Sequence, residues 1–277
     1  MLQQRVLFTV VALPLGIAAV MAGGWIFALV VAAILARAAW EYAALFRSGG
    51  GQPSALMLLG AVLAIFVARL YSGFVHDSWL LSVIVAITLT IHLLQFERGR
   101  DGAASDFAAT LSGIFYIGLL GSYLLLVRLI PQHGEWWFML TLFAVMLADT
   151  SAYFIGSAFG KHRMTPRLSP KKSWEGYIGG VILTTLGMPL FLLLFRFFGL
   201  PDMPAFSVVN AGILGLVIGV VPTLGDLGIS MIKREMQQKD TSDILPGHGG
   251  VLDRIDSWLW AMPIGYYLIL LVFLNSK

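Results

Sequence analysis

The sequence predicts an all-α integral membrane protein of about nine transmembrane helices, with its active site at the cytoplasmic side of the C-terminal half. Three observations lead there. Of the 277 residues, 58% are apolar and 12% are charged, against about 45–50% and ~25% in an ordinary soluble domain. The mean hydropathy of +0.84 agrees. A soluble globule of this composition could not cover its core, and disorder needs low hydrophobicity with high charge. The apolar residues also fall into stretches of the ~20 residues that cross a bilayer. Finally, the basic residues gather in alternate loops. The net charge of +3 therefore belongs to membrane-flanking loops, and no nucleic-acid partner is expected. With no cysteine there is no disulfide, thiolate nucleophile or Cys-based metal site.

The spans run, in order, over about Val6–Met21, Trp25–Phe46, Ala55–Leu70, Trp79–Phe96, Phe107–Ile130, Trp136–Phe159, Tyr177–Phe198, Phe206–Ile232 and Trp258–Leu274. The first lacks a small-x-small cleavage site and another span follows at once, so it reads as an uncleaved anchor. Arg5, Arg47, Arg98 and Arg100 mark basic loops, as do Lys161 to Lys172 with five basic residues and Lys233 to Arg254 with four. The loops near Gly23, Tyr71–Ser78, Pro131–Glu135 and Gly199–Ala205 contain no Lys or Arg. The positive-inside rule then places the N-terminus in the cytoplasm and the C-terminus outside; the membrane expected is a plasma (inner) membrane of bacterial type. Arg69, Arg128 and Arg196 are expected to snorkel from outer helix ends. Arg37, inside the second span, reads as snorkelling or internally satisfied.

No internal repeat supports an inverted-repeat transporter. Polar residues are concentrated in two long insertions of the second half, both cytoplasmic in this topology. Residues 1–135 are expected to form a transmembrane scaffold that lines a lipid cavity, forms a dimer interface or only fills the bilayer, and residues 136–277 the catalytic region.

Two carboxylates, Asp149 and Asp226, lie within apolar spans. A charge at that depth costs ~2.5–3.5 kcal/mol on insertion scales, so such residues face a wet cavity, a partner charge or an ion. The first insertion, Gly160 to Gly176, contains Ser169-Pro170-Lys171-Lys172-Ser173. Its ammonium and hydroxyl groups suit a phosphate-bearing ligand. The Ser-Pro pair signals a turn. The second insertion has Ser230, Lys233 and Arg234 at the end of a span, then Lys239-Asp240, then Leu245-Pro246-Gly247-His248-Gly249-Gly250, then Asp253-Arg254-Ile255-Asp256. Its glycines allow a backbone cradle for phosphate oxygens. Asp253 and Asp256 share one helix face, which suits Mg²⁺ together with substrate phosphates. The same pair would also favour a helix N-terminus. His248 reads as a general base or as an orienting ligand contact. The second role is preferred, since an ionised phosphate oxygen needs no base.

The run Ser230-x-Ile232-Lys233-Arg234-x4-Lys239-Asp240-x-Ser242-x2-Leu245-Pro246-x-His248-Gly249-Gly250-Val251-x-Asp253-Arg254-Ile255-Asp256 resembles the signature of phosphatidate cytidylyltransferases, the CDP-diacylglycerol synthases. The stretches Asp149-Thr-Ser-Ala-Tyr153 and Ser169-Pro-Lys-Lys-Ser173-x-Glu175-Gly176 are similar to upstream segments of that family. Val221-Pro-Thr-Leu224 is less polar than the family pattern. The Asp101-Gly102-Ala103-Ala104 run opens like a CDP-alcohol phosphotransferase motif, but Ser105-Asp106 breaks it.

The resemblance implies a nucleotidyltransferase of phospholipid biosynthesis. Its substrates would be CTP and phosphatidate, and its products CDP-diacylglycerol and pyrophosphate. It further implies dependence on Mg²⁺, a second cation such as K⁺, and a homodimer in the lipid bilayer. On this reading Asp226, Asp253 and Asp256 hold metal, with Asp149 a further candidate. Lys233, Arg234, Lys239, Asp240, His248 and Arg254 form the catalytic group. Ser169, Lys171, Lys172, Ser173, Ser230, Gly249 and Gly250 contact phosphates.

Overall fold

The structure, a computed structural model, describes residues 2–245, 247 and 249–275. The chain divides into two compact units. One contains the chain up to Leu126 together with Ile232–Ile255, and the other Val127–Met231 together with the chain from Asp256.

The first unit opens with α1 (Leu2–Ala22), α2 (Gly24–Ser48), α3 (Ala55–Ser72) and α4 (Asp77–Glu97). Next come α5 (Ala103–Gly113), a π-helical segment (Ile114–Leu119) and the short α6 (Tyr123–Arg128). Ser54 caps α3 by accepting from the Met57 amide, which satisfies one of the orphan donors at a helix start. The core is apolar: Leu35, Ala38, Ala39, Leu58, Val62, Ile114 and Ile117 are all fully buried. Arg69 does not snorkel. It is 2% exposed, and its Nη2 donates to Asp77 Oδ2 at 2.6 Å. Its Nη1 donates to the Leu119 carbonyl at 2.9 Å and Ser122 Oγ at 2.8 Å. A buried guanidinium is tolerable only when paired and hydrogen-bonded in this way.

The second unit contains α7 (Gly134–Phe159), a hairpin of β1 (Arg163–Thr165) and β2 (Ser169–Ser173), α8 (Trp174–Phe197) and α9 (Val208–Val220). The strands pair antiparallel, Arg163 opposite Ser173 and Thr165 opposite Ser169. The basic insertion is thus partly ordered as sheet. Its expected turn lies between the strands, and Ser169 already belongs to β2. α7 and α8 meet through small residues, because a Cβ at Gly176 would stand 2.7 Å from the Ala152 carbonyl and 2.9 Å from Gly156 Cα. Such contacts let membrane helices approach closely. Arg128 pairs with Glu135, and Arg196 with Asp202.

α10 (Pro222–Glu235) and α11 (Leu252–Leu268) complete the chain, with a π-helical segment (Ile269–Phe273) after α11. Pro222 has no N–H to donate, so one expected span, Phe206–Ile232, divides into α9 and α10 at this point. Among the described residues, 8 helical runs are long and apolar enough to cross a membrane, and α1 adds a shorter apolar stretch, Val10–Ala22. The protein is an all-α, multi-pass membrane protein.

Candidate active site

In the second unit, β2 carries Lys172 to Asp226 on α10. Lys172 Nζ lies 2.6 Å from Asp226 Oδ2. Ser230, one turn along α10 and 8% exposed, donates to Asp226 Oδ1 at 3.3 Å. The carboxylate inside an apolar span thus has a counter-ion and a hydroxyl partner. α10 and α11 cross nearby: a Cβ at Gly225 would stand 2.4 Å from the Asp256 carbonyl. Asp256 is 5% exposed, and its Oδ1 accepts from the Ser257 amide at 2.6 Å. Ser173 is buried and caps α8 through the Gly176 amide at 3.2 Å. Its hydroxyl oxygen is thus occupied by a backbone donor. Ser169 is half-buried, and Lys171 is exposed on the same strand. Asp149 lies on the exposed side of α7.

The first unit holds the second insertion. Lys233 Nζ lies 2.6 Å from Asp253 Oδ1, with both side chains largely buried. Asp253 Oδ2 accepts from the Thr241 amide at 2.8 Å, the Thr241 hydroxyl at 2.9 Å and the Gly250 amide at 3.0 Å. One carboxylate thus ties both ends of the loop to a lysine on α10. Between those ends the Leu245 amide donates to the Gly249 carbonyl at 3.0 Å. Gly249 has φ +78°, a left-handed conformation that side chains with a Cβ rarely adopt. His248, one of the expected contacts, lies outside the described residues, as does Pro246. Arg234, Lys239, Asp240 and Arg254 are exposed, and Arg234 Nη1 donates to the Gln238 carbonyl at 3.2 Å. The loop and the end of α2 line an open groove of about 330 Å³, whose walls include Ala44, Leu45, Ser48, Lys239, Thr241 and Ser242. This volume lies at the small end of the usual ligand-pocket range.

Sequence reasoning missed Glu41 on α2. It is 1% exposed, and it accepts hydrogen bonds from Ser242 Oγ at 2.7 Å, the Leu252 amide at 2.8 Å and Thr241 Oγ1 at 3.2 Å. Arg37 Nε donates to it at 3.2 Å, one turn before it on the same helix. Arg37 is therefore internally satisfied. Glu41 is an acidic residue in an apolar span, the same signal that singled out Asp149 and Asp226.

Among the described residues, no three His, Asp or Glu side chains gather to hold a metal ion. Asp226 and Asp253 each hold a lysine ammonium instead. Asp253 is enclosed, with its side chain 4% exposed, whereas that of Asp226 is 38% exposed. The hard, accessible oxygens of Asp226 suit Mg²⁺, which keeps its waters and binds through one or two carboxylates plus phosphates.

A family model for the cytidylyltransferase family matches residues 3–272. The phosphatidate cytidylyltransferase of Pseudomonas aeruginosa is 34% identical, over 95% of this chain and 95% of its own length. That of Synechocystis sp. is 29% identical, over 97% of each. A chloroplastic phosphatidate cytidylyltransferase of Arabidopsis thaliana is 31% identical over 97% of this chain and 73% of its own. The likeness runs from the first helices through the lysine-bracketed loop to α11, and on that breadth the chain belongs to the cytidylyltransferase family.

Proposed function

We propose that this protein is a phosphatidate cytidylyltransferase. A phosphate oxygen of phosphatidate attacks the α-phosphorus of CTP in line, the bond to the β-phosphate breaks, and CDP-diacylglycerol and pyrophosphate are formed. The observation that carries this is the Lys233-to-Asp253 loop. It is the part of the sequence that resembles the family signature, and it is folded as a charged, hydrogen-bonded unit. End-to-end similarity to enzymes bearing that name supports the same reading.

Two polyanions must meet, so the protein's work is positioning and charge neutralisation rather than covalent catalysis. Lys233, Arg234, Lys239 and Arg254 neutralise the triphosphate, with Asp240 and His248 orienting it and Gly249 and Gly250 offering backbone donors. Lys171, Lys172, Ser169 and Ser230 contact phosphate from the other insertion. Ser173 acts through its cap on α8, which fixes the end of β2. Mg²⁺ is required. Asp226, with Asp256 on the adjoining helix and Asp149 as a further carboxylate, would supply its ligands; Asp253, expected among them, is taken up by Lys233 and the loop donors. When bound, it would shield the repulsion between the two substrates. A second cation such as K⁺ would serve the same end.

The protein works in the plasma (inner) membrane of a bacterial-type cell, as a homodimer, with its N-terminus and both insertions in the cytoplasm and its C-terminus outside. Alternation of basic and Lys/Arg-free loops supports that orientation. To test the reaction, the purified protein is given phosphatidate, Mg²⁺ and each of CTP, dCTP, ATP, GTP and UTP separately. The expected result is pyrophosphate and liponucleotide with cytidine nucleotides only, dependent on lipid and Mg²⁺. Folded protein that releases no pyrophosphate with any nucleotide would overturn the reading.

A further inference from the structure

Glu41 lies in a helix of the expected scaffold, yet among the described residues three of its four hydrogen-bond donors come from the signature loop. A buried carboxylate is costly unless each oxygen is satisfied. Here Oε1 takes Ser242 Oγ and Arg37 Nε, and Oε2 takes the Leu252 amide and Thr241 Oγ1. The Thr241 hydroxyl has one proton. It lies 3.2 Å from Glu41 Oε2 and 2.9 Å from Asp253 Oδ2. That hydroxyl links the α2 carboxylate to the carboxylate that holds Lys233. The packing leaves no slack: a Cβ at Gly250 would stand 2.0 Å from Thr241 Oγ1 and 2.5 Å from Glu41 Oε2. The clamp also anchors Thr241 and Ser242, which form a wall of the groove that Lys239 and the end of α2 complete.

We propose that Glu41 is a positioning residue for nucleotide binding: its carboxylate clamps Thr241, Ser242 and Leu252, and so sets the loop that presents Lys239 to the phosphates of CTP and that holds Asp253 against Lys233. The inference rests on the reading of the signature loop as the nucleotide site. A helix that provides only scaffold has no need of a buried anion aimed at that loop. An apolar residue packed against apolar neighbours would hold the helix more cheaply.

The test compares wild type with Glu41→Gln in detergent or proteoliposomes. The glutamine keeps the shape but turns one acceptor into a donor facing a donor. The expected result is a kcat/KM for CTP lowered by about tenfold or more, on the scale of a misplaced binding group. The KM for phosphatidate stays within about twofold, since the lipid is not held by this clamp. Amide exchange in the peptide covering Thr241–Leu252 speeds up, while the remaining helices keep wild-type protection. Wild-type kinetics and exchange in Glu41→Gln would overturn the proposal. So would an equal loss for both substrates that tracks thermal instability. Should Glu41→Gln fail to fold, Ser242→Ala removes a single donor from a half-buried loop position. It is expected to cost about threefold in kcat/KM for CTP, with faster loop exchange, and wild-type values for both would overturn the proposal. The wild-type assay separates the two hypotheses. An inactive wild type whose loop is still protected by Glu41 defeats the cytidylyltransferase reading and leaves the clamp in place as a structural fact.

Discussion

Asp226 shows how a single side chain can be both costly and useful. Its carboxylate sits in a helix that is otherwise suited to lipid, and it is held there by Lys172 at 2.6 Å and by Ser230. With its side chain 38% exposed, it remains open to a ligand that arrives from water. Asp226→Asn is expected to lower kcat by about 100-fold, the scale of a lost electrostatic group at a reacting centre. It is also expected to raise the Mg²⁺ concentration needed for half-maximal rate. A Mg²⁺ titration that superimposes on wild type would remove Asp226 from the ligand set. Asp226 was visible in the sequence because it broke an apolar run. Glu41 broke one too, but its meaning depends on Thr241, Ser242 and Leu252, which stand 200 or more positions away. No local periodicity reports such a pairing. The cap that Ser173 provides for α8 was hidden for a related reason: beside two lysines its hydroxyl reads first as a phosphate contact, and its acceptance from the Gly176 amide appears only in the fold.

At the scale of elements, apolar patterning fixes the helices closely. The stretch Trp136–Phe159 matches α7 at Gly134–Phe159, and Ala55–Leu70 matches α3 at Ala55–Ser72. Interruptions were harder to see. The π-helical segment Ile114–Leu119, Ile-Phe-Tyr-Ile-Gly-Leu, has the same apolar character as the helical turns beside it, so composition carries no sign of it. The division at Pro222 was legible in principle, since proline cannot continue the hydrogen-bond ladder. The hairpin Arg163–Ser173 escaped notice because its strands are short and strongly charged. Its join to α8 depends on a cap, and this gives a prediction at the same scale. Ser173→Ala is expected to cost about 1 kcal/mol of stability. Ser173→Asp, which can cap in the same way, should restore stability without restoring full activity, because it adds a negative charge to the strand proposed to contact phosphate. Thermal unfolding alongside turnover checks both. A Ser173→Ala protein as stable as wild type would mean that the cap contributes nothing.

For the whole molecule, the absence of cysteine makes orientation simple to test. Each introduced cysteine is the sole thiol. Pro166→Cys lies in the exposed part of the basic insertion, and Pro204→Cys in a loop without Lys or Arg. With the proposed orientation, a membrane-impermeant maleimide applied to intact cells labels Pro204→Cys, and it reaches Pro166→Cys only after the membrane is opened. The reverse pattern would invert the topology and move both insertions away from cytoplasmic CTP.

The clamp at Glu41 also has a consequence in time. Ribosomes extend a chain at about 5–20 residues per second. Thr241 is made 200 residues after Glu41, so α2 waits roughly 10 to 40 seconds before its final partners exist. During that interval Arg37, one turn away, is the neighbour able to offset the glutamate's charge. In the finished protein this arginine is one donor among several. In the nascent chain it is the counter-charge that α2 carries with it, one turn from an anion whose loop is not yet synthesised.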